Sequence, residues 1–322
     1  MYNYIVRRVL LMIPTLFVVT IVVFLSIRLI PGNVVELMVL QHGAEQGVGE
    51  EQLNIEGVRA MLGLDLPMHV QYGRWMAGVI RGDLGDSLWW RGRNVTQHIL
   101  ERLPVSFELG ILAFIIAQII AIPVGLYSAI RQDSAGDYIG RSFAIISLAT
   151  PAFWLGTMIM VFPSIWWGWS PPMKFIPFME DPLGNLGQFI IPAVLMGTAM
   201  SATTMRMLRT TMLEVLRQDY VRTAWSKGLK ERIVVVRHAM RNALIPVVTI
   251  VAGQIPVMIG GAVIMEQIFS LPGMGRLFLD AIVRRDYPYV SGLNLFFATF
   301  GMILILLTDL SYAWLDPRVR YK

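Results

Sequence analysis

The chain has no cysteine and only four histidines in 322 residues. That excludes a disulfide framework, a thiol nucleophile, an iron–sulfur cluster and a cysteine zinc site. Charge is also scarce: Asp, Glu, Lys and Arg make up 15% of the residues, against about a quarter in a typical soluble domain. Motifs that carry chemistry are missing too. No G-x-x-x-x-G-K-[ST] run is present, so the chain has no phosphate-cradling loop of its own. There is no H-E-x-x-H, and His42, His69, His98 and His238 all fall outside the long apolar runs, so a membrane zinc protease would lack its ligands. No G-x-S-x-G elbow occurs. Two acids fall inside or at the ends of apolar runs, Glu108 and Asp309, and intramembrane acids are functional candidates by default. An ion-coupled secondary transporter would need a richer set of midplane acids or broken helices. Pro123, Pro151, Pro192 and Pro256 could kink helices, although proline is common in membrane helices.

What the chain has in abundance is apolar length. Hydrophobic residues make up 55% and mean hydropathy is +0.59. A soluble fold of this size cannot hide so much apolar surface, so the solvent is lipid. Crossing about 30 Å of hydrocarbon takes roughly 20 residues at about 1.5 Å each. Five uncharged runs meet that length: 109–130, 142–173, 182–205, 242–265 and 287–308. A sixth, 9–30, is interrupted only by Arg28 at its end, where a long side chain can snorkel. It is longer than a signal sequence and is read as a retained first helix. The 142–173 run reads as one helix ending near Trp166, followed by an interfacial Trp-Gly-Trp-Ser-Pro-Pro turn.

Six spans put both termini on one side. With the termini inside, segments 1–8, 131–141, 206–241 and 316–322 carry 2, 2, 9 and 3 basic residues. Lys174 stands alone in the opposing short loop. The positive-inside rule therefore makes both termini cytoplasmic. The net charge of +5 is a local property, since the nine basic and three acidic residues of 206–241 alone give +6.

Two loops are too long to be plain connectors. The outer segment 31–104 carries apolar residues at helical spacing (Val58, Met61, Leu62), a second such stretch from His69 to Ile80, and then a turn cluster at Arg81-Gly82-Asp83-Leu84-Gly85-Asp86-Ser87. It reads either as an external subdomain that meets a partner or guards an entrance, or as a cap packed on the helix ends. In the inner segment 206–241, Leu208, Met212, Leu216, Tyr220, Ala224 and Gly228 fall at i+4 steps. This spacing predicts an apolar row along a helix, ending in two small residues that would let another backbone approach. Gly228 is also a candidate helix breaker. Lys230-Glu231-Arg232 starts a second short helix with Ile233, Val234 and Val235. Such a loop reads as a docking surface for a soluble partner, with a positively charged anchor on lipid headgroups as the alternative.

Several stretches together resemble a known family. They are Arg7-Arg8-Val9-Leu10 with Ile13-Pro14 and Ile30-Pro31-Gly32; the Gly82-Asp83-Leu84-Gly85-x-Ser87 run; Asp219-Tyr220-Val221-Arg222-Thr223-Ala224-Trp225-Ser226-Lys227-Gly228-Leu229, continued by Arg237-His238-Ala239, Asn242-Ala243-Leu244 and Pro246; Glu266-x-x-Phe269-x-x-Pro272-Gly273-x-Gly275 followed by Arg285-Asp286-Tyr287-Pro288; and Asp316-Pro317-Arg318. In this order they resemble the permease subunits of ATP-binding cassette importers, of the dipeptide and oligopeptide branch. Departures are local. The general importer loop has Glu-Ala-Ala where this chain has Arg222-Thr223-Ala224, and a later Pro where it has Arg241; Asn33 stands where the branch often has Asp.

The resemblance implies an all-α polytopic membrane protein with the type I importer fold and six transmembrane helices. Residues 1–30 would hold the N-terminus and first helix, 31–104 an extracytoplasmic subdomain, and 105–322 the permease core, with the coupling loop 206–241 between helices four and five. It implies a translocation subunit in a prokaryotic cytoplasmic membrane that catalyses no reaction and binds no cofactor or metal itself. ATP and Mg2+ would sit on two partner ATPases, one of them gripping Asp219, Tyr220, Arg222, Thr223, Ala224, Lys227, Gly228 and Leu229. A second, homologous permease would complete a heterodimer, and an extracytoplasmic binding protein would deliver di- or oligopeptides. Gly82, Asp83, Leu84, Gly85, Ser87, Glu266, Phe269, Pro272, Gly273, Gly275, Arg285 and Asp286 would form outer-face motifs. Nucleic acid has no place in this scheme. A nickel complex, glutathione or an oligosaccharide is the alternative cargo; an ion-coupled transporter and a membrane enzyme are the competing classes.

Overall fold

The computed structural model describes residues 2–28, 63–90, 92–172 and 174–315. The Ile30-Pro31-Gly32 exit with Asn33, the spacing at Val58, Met61 and Leu62, the Asp316-Pro317-Arg318 tail and the side chain of Asp309 lie outside the described residues.

The described chain is helical, with one isolated antiparallel bridge between Asp86 and Asn94. In order, the helices are α1 (Tyr2–Arg28), α2 (Met68–Ile80), α3 (Val95–Ile130), α4 (Ala135–Ala149), α5 (Ala152–Trp167) and α6 (Pro182–Leu216). Then come α7 (Asp219–Ser226), the single turn α8 (Glu231–Ile233), a π-helical segment (Val234–Ala239), α9 (Met240–Ile268), α10 (Met274–Arg284) and α11 (Tyr287–Leu315). Five stretches are long and apolar enough to cross a bilayer: Val6–Ser26, Val95–Ile130, Pro182–Leu216, Glu231–Pro256 and Tyr287–Thr308. Helices α4 and α5 pass the same test as a pair, bent by 87°, which makes six spans when the pair counts as one.

The 142–173 run is thus not one helix. Thr150 is extended (φ −98°, ψ 119°) and Pro151 caps α5 (φ −64°, ψ 128°). The proline ring disfavours helical backbone at the residue before it, and proline has no N–H to continue the ladder. The expected turn after Trp167 is present: Gly168 is left-handed (φ 63°) and its N–H reaches Ser164 O at 3.1 Å, closing the helix. Trp166 and Trp167 are largely exposed, as suits a headgroup belt.

The i+4 row of the 206–241 segment is also not one helix. Helix α6 stops at Leu216, Gln218 is extended (φ −71°, ψ 146°), and α7 starts anew at Asp219. Leu208 and Met212 are buried, whereas Tyr220 is exposed. A third difference concerns His98. Helix α3 begins at Val95, 14 residues before the uncharged run at Leu109, so His98 lies on it, buried and bonded to the Tyr289 hydroxyl at 2.6 Å.

The chain forms two compact units, Val105–Arg276 with Ile303–Lys322, and Tyr2–Pro104 with Leu277–Met302. The first is centred on Leu109, Phe189, Ala193, Met265 and Phe269. Small residues bring its helices close. A Cβ on Gly197 of α6 would sit 2.8 Å from Ala113 O of α3, and Ala121, Ala144 and Ala202 join α3, α4 and α6 with Met205. Membrane helices gain little from hydrophobicity against one another, so close packing of this kind supplies the contact energy. In the second unit α1 is pinned to α2. Phe24 meets Tyr72 edge-on at 5.3 Å, Thr20 and Tyr72 share a 2.8 Å hydrogen bond, and the Arg28 guanidinium lies 3.5 Å over the Phe24 ring while donating to Gln71 Oε1 at 2.8 Å.

Candidate functional site

The short helix α7 is amphipathic and anchored by one face. Val221 and Ala224 are buried with Val234, against Val215 and Leu216. Spacing three apart puts the two anchors on one side of a helix. Two aromatic rings flank that side, and Leu229 follows just beyond the helix. Tyr220 is 43%, Trp225 41% and Leu229 37% exposed. Asp219 and Arg222 are also exposed, 3.9 Å apart, a distance and setting in which an ion pair contributes little to stability. Thr223 spends its hydroxyl on Asp219 O at 2.9 Å. The Tyr220 hydroxyl accepts from Asn242 Nδ2 at 2.7 Å and donates to His238 O at 3.4 Å, which ties α7 to the start of α9.

Gly228 ends this element with φ +77°. Nothing lies within 4 Å of the place a Cβ would take. Its role is therefore conformational, a left-handed turn that a branched residue resists. The close backbone approach expected at Gly228 is absent among the described residues, and Ala224 alone of the pair packs tightly. Lys227 and Lys230 flank the turn, exposed.

The loop after α9 is built on a buried acid. Glu266 is fully buried. Ser106 donates to its Oε1 at 2.5 Å and the Arg276 N–H to its Oε2 at 3.0 Å. Ser106 in turn accepts from Met274 N at 2.8 Å. A Cβ on Gly273 would fall 2.1 Å from Glu266 Cδ, and one on Gly275 would fall 2.5 Å from Val263 Cα. Both glycines are thus required by space. Phe269 and Leu271 are buried beside them, and Pro272 lies in the same turn.

The Gly82–Ser87 run and the Arg285-Asp286 pair, 200 residues apart in the chain, meet in the second unit. Asp286 is fully buried. Ser87 Oγ donates to its Oδ2 at 2.5 Å, and the N–H groups of Leu88 and Trp89 approach at 3.4 Å. Burial pushes the Asp286 carboxyl up. Arg285 takes a left-handed φ of 54° to turn the chain there. Asp83 Oδ1 accepts from Gly85 N at 2.9 Å and Asn94 Nδ2 at 3.2 Å, which holds its carboxyl below the usual range. Leu84 N and Gly82 O both pair with Thr96 Oγ1 at 3.0 Å. This run is a tight turn that consumes its own polar groups.

A cavity of about 630 Å³ lies in the first unit. Its walls are Pro151–Phe153 at the α4–α5 break, Met196–Thr203 of α6 and Ile250–Met265 of α9, and they are almost entirely apolar, with Thr203 and Gln254 as the polar side chains. Glu108 is half-buried elsewhere in that unit, with Asn185 Nδ2 3.5 Å from its Oε2. No group of acids and histidines that could hold a metal occurs among the described residues.

The sequence points to most residues of α7, Tyr220 and the anchor Ala224 among them, but not to the second anchor, Val221, or to the exposed ring of Trp225. Val221 and Trp225 stood inside the quoted motif without a role; a 3.6-residue period confined to 219–226 separates them, whereas the longer i+4 row obscured it. The pair Asp137–Arg209 is not legible there either, because both residues fall in segments read as cytoplasmic loops.

Residues 121–321 match the family described as binding-protein-dependent transport system inner membrane component, and residues 1–110 match the family of its N-terminal part. The chain is similar to the dipeptide transport system permease protein of Escherichia coli, 38% identical over 345 residues and covering all of both chains. It is similar to the glutathione transport system permease protein of Pectobacterium atrosepticum, 36% identical over 322 residues, again with full coverage. A solved structure of an amino acid ABC transporter with histidines has a TM-score of 0.52 at 14% identity, over 68% of this chain and 94% of that one. That likeness concerns the fold.

Proposed function

This chain belongs to the family of binding-protein-dependent transport system inner membrane components, and we propose that within it the protein is the permease of an ATP-driven importer for short peptides. In this reading residues 206–241 face the cytoplasm and 31–104 the outside. Helix α7 docks in a groove of a partner ATPase, a second permease completes the pathway as a heterodimer, and a binding protein delivers the peptide. ATP and Mg2+ act on the ATPases. The observation that carries the reading is α7 itself: a helix held by Val221 and Ala224 whose rings Tyr220 and Trp225, with Leu229 just beyond it, are exposed in a segment with nine basic residues. An anchored helix with an open apolar face is suited to seating in a groove.

The mechanism follows from connectivity. Helices α6 and α9 run directly out of the two ends of the coupling segment and form two walls of the apolar cavity. Movement of α7 with its ATPase is thereby passed to those walls, and the cavity serves as this chain's half of the passage. Its neutral lining offers no fixed charge to hold a zwitterionic peptide, so selection falls to the binding protein. The outer motifs hold loops: Glu266 with Phe269, Pro272, Gly273 and Gly275 fixes one, and Asp286 with Ser87 fixes another.

The test is uptake by the complete complex, with its partner permease, ATPases and binding protein, in proteoliposomes. Labelled dipeptide should accumulate only with ATP at the ATPase side. Accumulation driven by an ion gradient without ATP would sink the reading. Glutathione, cargo named for a relative of nearly equal similarity, is the second reading, and competition between unlabelled glutathione and the dipeptide separates the two.

A further inference from the structure

The cavity has three walls, and the coupling segment is continuous with only two of them. The third wall, Pro151–Phe153, follows α4. Besides the packing of Ala144 against Ala202 and Met205, an ion pair fixes α4 to α6. Arg209 of α6 donates from Nε and Nη2 to the two carboxylate oxygens of Asp137 of α4, at 2.8 and 2.7 Å. The Asp137 side chain is fully buried and that of Arg209 is 19% exposed. Asp137 Oδ2 also accepts from Asp133 N at 3.1 Å, and its own N–H reaches Ser134 Oγ at 3.3 Å. The carboxylate therefore grips two things, the α3–α4 turn and α6, while the Asp137 backbone N–H closes the first turn of α4 on Ser134. A planar, two-bond Arg–carboxylate contact fixes direction as well as distance.

Buried ion pairs are poor sources of stability, since desolvation cancels much of the attraction, and fixing register is among their best-attested uses. The place of this one is informative. It sits seven residues before the end of α6 at Leu216, close to α7. The cavity wall at Pro151 is about 20 Å along the chain axis from Asp137, whereas the nearest cavity residue of α6, Thr203, is about 9 Å from Arg209, at about 1.5 Å per residue.

We propose that Asp137 and Arg209 form a strut that makes α4, and through it the Pro151 wall of the cavity, move with α6 when the coupling helix is displaced. Both are positioning residues. The proposal rests on the importer reading and adds the path by which the third wall is driven.

The experiment compares ATP hydrolysis with uptake in the reconstituted complex for wild type, Asp137→Asn, Arg209→Lys and the double variant Asp137→Asn/Arg209→Gln. The double variant removes both charges together, so no lone buried charge is left to unfold the chain. It should assemble and hydrolyse ATP at the wild-type rate while cargo moved per ATP falls by about five- to tenfold, the size of a typical coupling between sites. Arg209→Lys keeps the charge but not the two-point grip, and should fall in between. Wild-type cargo per ATP in the double variant would overturn the strut. Failure of the double variant to assemble would assign the pair to folding alone and overturn it equally. If wild type itself shows no ATP-driven uptake, the importer reading fails instead.

Discussion

At its C-terminal end α9 runs into a loop whose polar groups are all consumed at home: Glu266 takes up Ser106 and the Arg276 N–H, and Gly273 leaves room for nothing else. At its N-terminal end α9 follows a segment held by a small apolar anchor and the Tyr220 hydroxyl, in which the rings of Tyr220 and Trp225 and the side chain of Leu229 stay exposed. One end is finished within the chain; the other is the end that the proposed function gives to a partner. Both carry family motifs, so a motif alone does not separate residues that hold a loop from residues that meet another molecule. Burial and hydrogen-bond use do.

The sharpest way to break this contrast is Glu266→Ala. It strands the Ser106 hydroxyl and the Arg276 N–H in a buried site, at a cost of about 3 kcal/mol. Thermal unfolding in detergent should show the loss, and an unchanged midpoint would mean the outer loop does not depend on its acid. Gly228→Val comes next, at about 1–2 kcal/mol for a branched residue forced into left-handed backbone. It should uncouple ATP hydrolysis from uptake while the spans remain folded. Gly228→Asn, which tolerates that backbone, should keep coupling; equal damage from both would point to a contact with the partner instead. Tyr220→Phe removes the bonds to Asn242 and His238 and should cost about 1 kcal/mol, read as a lower unfolding temperature.

Asp286 gives a smaller effect that depends on pH. Burial raises its carboxyl above the unfolded value of about 3.9. The sign is then fixed: its contribution is fully present below the unfolded value and is lost as pH climbs through the raised folded one. Asp286→Asn cannot ionise, so its stability relative to wild type should improve from acid toward neutral pH. A parallel pair of stability curves would refute the assignment. Smallest of all for the isolated chain is Trp225→Ala, within about 0.5 kcal/mol for an exposed position. The same variant should release the ATPases in pull-down, and retained binding would remove Trp225 from the docking face.

The membrane class and the positions of the spans were legible because bilayer thickness acts on composition: runs near 20 residues cannot be hidden. The outer turn at Gly82–Ser87 was legible through its glycines, two of which do adopt positive φ. Three features were not. The break at Thr150 was masked by an apolar run that continues across it, since hydropathy is blind to a backbone change made by one proline. The end of α6 at Leu216 was masked by an i+4 row that happens to run on through Arg217 and Gln218. The pairs Ser87–Asp286 and Asp137–Arg209 join residues 199 and 72 positions apart, and no local period encodes a partner at such distance.

The break between α4 and α5 has one more consequence, in the solvation of the backbone. The two helices have 15 and 16 residues, about 22 and 24 Å at 1.5 Å per residue, so neither crosses about 30 Å of hydrocarbon alone. At their junction the last carbonyls of α4 and the first N–H groups of α5 have no helical partner. Lipid cannot satisfy such groups; only protein or water can. Thr150 N–H still closes on Ile146 O at 2.9 Å and Leu155 N–H on Pro151 O at 3.2 Å, so beside the cavity at Pro151, Ala152 and Phe153 the chain itself supplies part of what the bend would otherwise leave unsatisfied.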